Sequence, residues 1–269
     1  MPRAVRRILA SAASPLAVLV AWELLARSGL VSAFLLPPAS AVAVRIVEMA
    51  ASGELLREGG RTVARMLVGY LTAAVLGVVI GVLMARIRPV RWFLDPLVSI
   101  GFPAPKISFL PIFVLWFGLF DLPKIVMTVF ACVFPVIAAT WAGTEGVDKY
   151  LIWSARNLGT SDRQLLWEVV LPAALPQVFT GLQVALPIAF IVVIVTEMLT
   201  GGGGLGGAMM EGARFADSTR VFAALVEVAI LGILAMKVLE VLRRRLLVWH
   251  EEVQRGAGEV RARADGGRA

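Results

Sequence analysis

The sequence predicts an all-α polytopic membrane protein with six spans. Three observations lead there. Hydrophobic residues fill 59% of the 269 positions and charged residues only 17%, with a mean hydropathy of +0.84; that balance belongs to a membrane protein rather than a soluble core. The apolar residues come in long runs, and a span needs about 20 of them, so six spans would take roughly 120 and leave loops and tails. Basic residues gather at the ends of those runs. In a soluble protein the net charge of +7 would suggest nucleic acid. Flanking apolar segments, it favours anionic lipid head groups and fixes orientation instead, so no nucleic-acid partner is expected.

The first span is read over 8–26, behind Arg3, Arg6 and Arg7. A basic start and an apolar middle also fit a signal peptide, but the run is long, contains Trp22 and Glu23, and lacks a convincing small-residue cleavage site. It is expected to be retained. Pro37 and Pro38 make a turn, and 41–51 forms a surface helix with Val42, Ile46 and Met49 on one side. The second span, 63–85, carries Gly69, Ala73, Gly77, Gly81 and Ala85 every fourth residue, a smooth ridge on which another helix can pack closely. Arg65 near its start either snorkels to the interface or pairs with an acid inside the bundle. The third span begins near Trp92 and is interrupted at 101–106, because Pro103 and Pro105 cannot sit in an unbroken helix. Broken helices within a bilayer need protein or a water-filled cavity around them. Two readings of Lys106 therefore stand: it faces a translocation path, or it snorkels or pairs with a carboxylate. The run resumes at 109–117, and 118–124 is expected to be an outside loop. The fourth span is 125–142.

The fifth span, 178–199, holds Pro187 and ends near Glu197, which either neutralises Arg65, caps the outer mouth of the bundle, or is solvated at the interface. The glycine run at 201–207 is not a phosphate cradle, since no Gly-Lys-Ser/Thr follows; it is expected to be a flexible external loop. The sixth span, 221–242, contains Glu227, for which the sequence offers no role. Lys237 and Glu240 are spaced to pair, and Arg243, Arg244 and Arg245 end the span. The tail at 249–269 is polar and expected to be loose. Cys132, the single cysteine, rules out an intrachain disulfide framework or zinc cluster, and neither it nor His250 has metal-ligand or nucleophile–base neighbours. No catalytic residue, metal or bound cofactor is expected.

The polar interruption at 145–176 carries its own punctuation. Tyr150, Leu151, Ile152, Ala155 and Leu158 recur at helical spacing. Gly159 is placed to end that helix in a left-handed conformation. Ser161 and Gln164 have capping-box spacing for a second helix. That helix meets Pro172 and Pro176, where a bend or break is expected. The result is a rigid elbow.

From Trp153 to Pro176 the sequence WSARNLGTSDRQLLWEVVLPAALP resembles the EAA loop of bacterial ABC importer permeases. Ala155, Gly159, Val169, Leu171 and Pro172 fall in register, while Trp153 and Ser154 stand where that pattern has Glu and Ala. The resemblance implies that Trp153, Ser154, Ala155, Arg156, Asn157, Leu158 and Gly159, with Leu171 and Pro172, dock on a separate ATPase subunit. Without a partner, the same segment would be a helix lying at the membrane interface. The stretches LLPPASAV, DPLVSIGFPAPKISFLPIFVLWFGL and TEMLTGGGGLGG extend the resemblance, over 35–245, to permeases of the nitrate, sulfonate and taurine importer family. It implies a methionine-importer-like core working as a dimer of permease copies, a cytoplasmic ATPase dimer that carries ATP and Mg, and an external binding protein, periplasmic or lipid-anchored. The chain has no Walker motif and no soluble binding domain, so both are expected as separate polypeptides. The implied substrate is a small anion such as taurine or an alkanesulfonate, although related permeases carry pyrimidine precursors of thiamine. Pro103, Pro105, Lys106 and Glu197 are the candidates for the translocation path.

Six spans put both termini on one side, and the larger, tighter basic clusters mark that side as cytoplasmic. The elbow between spans four and five then faces the ATP. The chain divides into a tail with the first span (1–30), an external loop with the surface helix (31–60), the permease core (61–248) and the cytoplasmic tail (249–269), in the bacterial inner membrane. A secondary transporter is the other class compatible with Lys106, Glu197 and Glu227, but no inverted repeat supports it and the elbow would have no purpose.

Overall fold

A computed structural model describes residues 3–249, with side chains from residue 13. His250 and nearly all of the expected tail lie outside the described residues, as do the side chains of Arg3, Arg6 and Arg7. Every regular element among the described residues is a helix: α1 (Arg3–Arg27), α2 (Ala39–Ala51), α3 (Glu54–Arg86), α4 (Arg88–Gly101), α5 (Leu110–Phe117), α6 (Asp121–Glu145), α7 (Lys149–Asn157), α8 (Asp162–Gln164), α9 (Leu171–Thr200), α10 (Leu205–Arg214) and α11 (Ser218–Leu246).

Among the described residues, four helical stretches are long and apolar enough to cross a membrane: α3, α6, the run from Asp162 to Thr200, and α11. The pair α4 and Lys106–Phe117 makes a fifth, bent by 101° at its break. The first expected span, 8–26, is described in full only from residue 13, so α1 lies outside this count. Pro15 lies inside α1 and Glu23 near its end, and its last turns are tied to α2. There the Trp22 indole donates to the Pro37 carbonyl at 3.0 Å, and Glu23 accepts from the Ser40 N–H at 3.1 Å. Helix α2 has the expected apolar face: Val42 and Met49 are buried with Ala223 of α11, while Val44 and Val47 on the other side are exposed.

The core is a sandwich of α3, α6 and α9. The small-residue ridge of α3 lies against α6. A Cβ on Gly69 would come within 2.7 Å of Thr128, one on Gly77 within 2.6 Å of Val136, and one on Gly81 within 2.7 Å of Thr140. Only glycine permits that approach. Across α6, Gly181 of α9 meets Ala139 and the Pro135 carbonyl in the same way. Cys132 is buried between these layers and its thiol reaches the Ala185 carbonyl. The outward faces of the long helices are apolar and exposed, as at Leu71, Val75 and Val79 of α3 and Ile230, Ile233 and Leu234 of α11. Facing acyl chains, such surfaces need no further partner.

Two expectations about breaks come out differently. The chain from Asp162 to Thr200 is one continuous helical run, with no break at Pro172 or Pro176. A six-residue π turn, Leu165–Val170, precedes α9 instead, and the Leu171 N–H bonds to the Leu166 carbonyl, five residues back. Shifting the ladder by one residue just before Pro172 absorbs the proton that proline lacks. Conversely, the expected loop at 118–124 is short: Asp121 already begins α6, and Lys124 is buried within it.

Candidate functional site

Two constructions sit at opposite ends of α9. Thirty helical residues separate them by roughly 45 Å.

At the N-terminal end is the elbow. Asp148 caps α7 by accepting from the Tyr150 N–H at 2.8 Å. The helix ends at Gly159, φ +83°. There the Thr160 N–H reaches back to the Ala155 carbonyl (3.2 Å) and the Gly159 N–H to the Arg156 carbonyl (2.9 Å). This paired closure satisfies carbonyls that a helix end leaves orphaned. Nothing in the chain lies within 4 Å of a Cβ built on Gly159, so the backbone conformation alone selects glycine there. The expected capping box is present, with the Gln164 N–H donating to Ser161 Oγ and the Ser161 N–H to Gln164 Oε1. Ala155, Val147, Leu165, Val170 and Ala174 form a small core that fixes α7 against the start of the long helix. Trp153, Tyr150, Leu151 and Leu158 face away from that core, Leu158 at 86% exposure, and the Tyr150 and Trp153 rings pack edge to face. Ser154, Arg156 and Asn157 are also exposed, while Leu171 and Pro172 are half-buried in the first turn of α9.

At the C-terminal end is a clasp, of which the sequence offered only the Arg65–Glu197 pairing, as one of several readings. Arg65 of α3 and Glu197 of α9 form an ion pair of 2.7 Å, with side-chain exposures of 7% and 0%. Of the readings open for these two, mutual neutralisation is the one realised. Arg65 also donates through Nε to Asp121 (2.8 Å), through Nη2 to the Gly202 carbonyl (2.9 Å) and through Nη1 to the Gly203 carbonyl (3.0 Å). Glu197 accepts from the Thr62 hydroxyl at 2.8 Å and the Gly206 N–H at 3.1 Å. Thr62 in turn accepts from the Leu205 N–H, and Glu58 from the Gly204 N–H at 2.6 Å.

The glycine run is therefore not a loose loop. Gly201, Gly202, Gly203 and Gly204 all have positive φ, which lets successive carbonyls and N–H groups turn onto Arg65, Glu58 and Glu197. A Cβ on Gly204 would fall 2.2 Å from Glu197 Oε1. Residues 205–207 are helix. Glu197 thus lies inside the wall of the single chain, holding α3 to α9. Lys124, fully buried, donates to the Phe120 carbonyl at 3.1 Å.

The break in the third span contains Pro103 and Pro105, as expected. Lys106 is half-buried there. Its Nζ donates to the Phe102 carbonyl at 2.5 Å and lies 5.5 Å from the Phe134 ring centre. It caps the end of α4, which accounts for its charge without a carboxylate. Gly101 lets Phe134 approach; a Cβ there would be 2.3 Å from its ring. Glu227 is buried against Gly59, and its Oε2 has no hydrogen-bond partner. Glu240 pairs with Arg244 one turn on, rather than with Lys237. Among the described residues no group of three or more His, Cys, Asp or Glu could hold a metal.

The sequence of the family described as binding-protein-dependent transport system inner membrane component matches residues 77–248. The chain belongs to that family. This permease is 31% identical over 240 residues to the aliphatic sulfonates transport permease of Bacillus subtilis, covering 89% of this chain and 87% of that one. It is 30% identical over 254 residues to the taurine transport system permease of Escherichia coli, covering 93% and 92%. A formylaminopyrimidine transport permease of Halalkalibacterium halodurans is 30% identical over 237 residues, covering 88% and 94%. Among solved structures, the inward-facing methionine ABC transporter MetNI superposes with a TM-score of 0.62 at 20% identity, over 71% of this chain and 95% of that one. The permease therefore has the methionine-importer type of fold, and its family makes it a transport subunit.

Proposed function

We propose that this permease imports a small organic anion of the sulfonate or taurine type. An external binding protein delivers the solute, and a separate cytoplasmic ATPase dimer carrying ATP and Mg drives the cycle. The observation that supports the drive is the elbow: a nine-residue helix, closed at both ends by hydrogen bonds and fixed to α9, leaves Tyr150, Leu151, Trp153 and Leu158 uncovered. An apolar patch on a polar cytoplasmic turn fits a groove on another protein. Trp153 and Ser154 there supply aromatic and hydroxyl contacts in place of the acidic residue other permeases of this type use.

The chain works as two copies with the elbows cytoplasmic, both termini on the same side, and the clasp on the outer face. ATP closes the ATPase dimer, its grooves carry α7 along, and the π turn and α9 pass the motion through the membrane. This is two-state gating by a ligand that favours one state. Pro103, Pro105 and Lys106, at the sharp break between α4 and α5, border the path. The substrate class rests on two relatives near 30% identity that are named for aliphatic sulfonates and taurine. The formylaminopyrimidine permease at the same identity keeps a thiamine-precursor pyrimidine as the second reading.

Co-reconstitution of the permease with its ATPase and binding protein in liposomes tests both parts. ATP-dependent uptake of taurine or ethanesulfonate, and a disulfide crosslink from a cysteine at Leu158 to the ATPase, are the expected results. Uptake of the pyrimidine alone would replace the substrate, and absence of the crosslink would remove the coupling role.

A further inference from the structure

Beside the clasp lies a cavity of about 610 Å³. Arg57 and Arg61 of α3, Arg214 of α10 and Arg220 of α11 line it. Three carboxylates answer these four guanidinium groups. Arg57 and Arg61 reach Glu58, at 2.8 and 3.3 Å, and Arg220 reaches Glu54 at 2.6 Å and Glu211 at 2.9 Å. Arg214 is exposed and has no acceptor among the described residues. The Nε of Arg220 is buried and has no hydrogen-bond partner. Each guanidinium carries five donors, so single contacts to carboxylates leave several N–H groups unanswered around the cavity. Met198, Met210 and Phe215 contribute apolar wall.

We infer that this cavity is a binding site for a small organic oxyanion, at the end of the bundle opposite the elbow. Guanidinium groups match the oxygens of a sulfonate or carboxylate with paired donors, and the methionine and phenylalanine side chains suit a short apolar body. The volume admits a molecule of that size, with water, and the surplus positive charge raises the local concentration of anions. The carbonyl side of Gly202 and Gly203 is engaged by Arg65, so the cavity wall is the clasp itself, and an occupant would rest on the segment that holds α3 to α9. This rests on the proposed import of an anion. It adds that the permease, and not the binding protein alone, recognises the charged head of the solute.

The test is binding of ethanesulfonate, against its uncharged analogue ethanesulfonamide, to the purified full-length permease at constant ionic strength. The wild type should bind ethanesulfonate saturably and the sulfonamide far more weakly. The double variant Arg61→Gln, Arg214→Gln should lose about tenfold or more in affinity, the effect of removing charge-assisted hydrogen bonds. Arg214 has no partner to strand and Arg61 is half-exposed, so the variant should fold, and its unfolding temperature checks that. Equal binding by both proteins, or none by the wild type, overturns the site. If the wild type binds no anion and the double variant instead captures the binding protein less well, the cavity receives a protein carboxylate and the solute assignment is wrong. Uptake by the assembled transporter is scored separately. Ethanesulfonate uptake without binding at the cavity sinks the site alone, and binding without uptake of any sulfonate sinks the substrate reading alone.

Discussion

The two ends of α9 solve opposite problems. The clasp completes itself. Arg65 and Glu197 are buried with every neighbouring backbone turn bent to meet them, and nothing outside the chain is needed to satisfy them. The elbow is finished only as a backbone. Its hydrogen bonds close at Asp148, Gly159 and Ser161, yet its apolar side chains look outward. A buried polar network with no vacancy is rigid, and losing one member is costly. An exposed apolar helix is cheap to alter and waits for something to cover it. Stability should therefore reside at one end of the helix and coupling at the other.

Four substitutions probe that contrast, in falling order of their effect on stability. Glu197→Ala should be the most damaging. It leaves Arg65 buried without its one buried counter-charge, Asp121 being largely exposed, a loss on the order of 3–5 kcal/mol, read as a large fall in unfolding temperature in detergent. Gly206→Val should follow, at about 1–3 kcal/mol, because even a Cβ there lies 2.3 Å from the Ile194 carbonyl. Gly159→Asp meets no atom, so only the left-handed backbone resists it, by roughly 1–2 kcal/mol. The protein should stay in the membrane while uptake is uncoupled from ATP hydrolysis. Leu158→Glu should change stability by less than about 0.5 kcal/mol and yet abolish co-purification with the ATPase. Transport defects should run in the reverse order relative to stability at the two ends. If Leu158→Glu destabilised the fold as much as Glu197→Ala, or left the ATPase bound, the division of labour would be wrong.

The elbow was legible because its signals are local. A capping box needs residues three apart, and Gly159 stands directly after a periodic helix. The α3 ridge was legible for the same reason, its four-residue period being written along one segment. Of the clasp only the Arg65–Glu197 pairing was legible, as one reading among several; its other members were not, because Thr62 and Glu197 are 135 positions apart and no spacing rule joins them. The glycine run was misread for a deeper reason. Its composition tells that the backbone can adopt positive φ, not that Arg65 and Glu58 will hold it there. The bend expected at Pro172 failed because a π turn can accommodate a proline without breaking the helix, and nothing in LLWEVV marks that turn.

The seam where Gly69, Gly77 and Gly81 touch Thr128, Val136 and Thr140 has a mechanical corollary. Helices in such close contact have no side-chain cushion to slide on, so α3 and α6 must travel as a single plank. Flexure during a transport stroke then falls to the joint at Phe102–Pro105, where the backbone already turns through a right angle. The seam also makes the two helices hostage to each other's sequence: a larger residue on one face demands a smaller one directly opposite, and the glycines can drift only if Thr128, Val136 and Thr140 shrink in step.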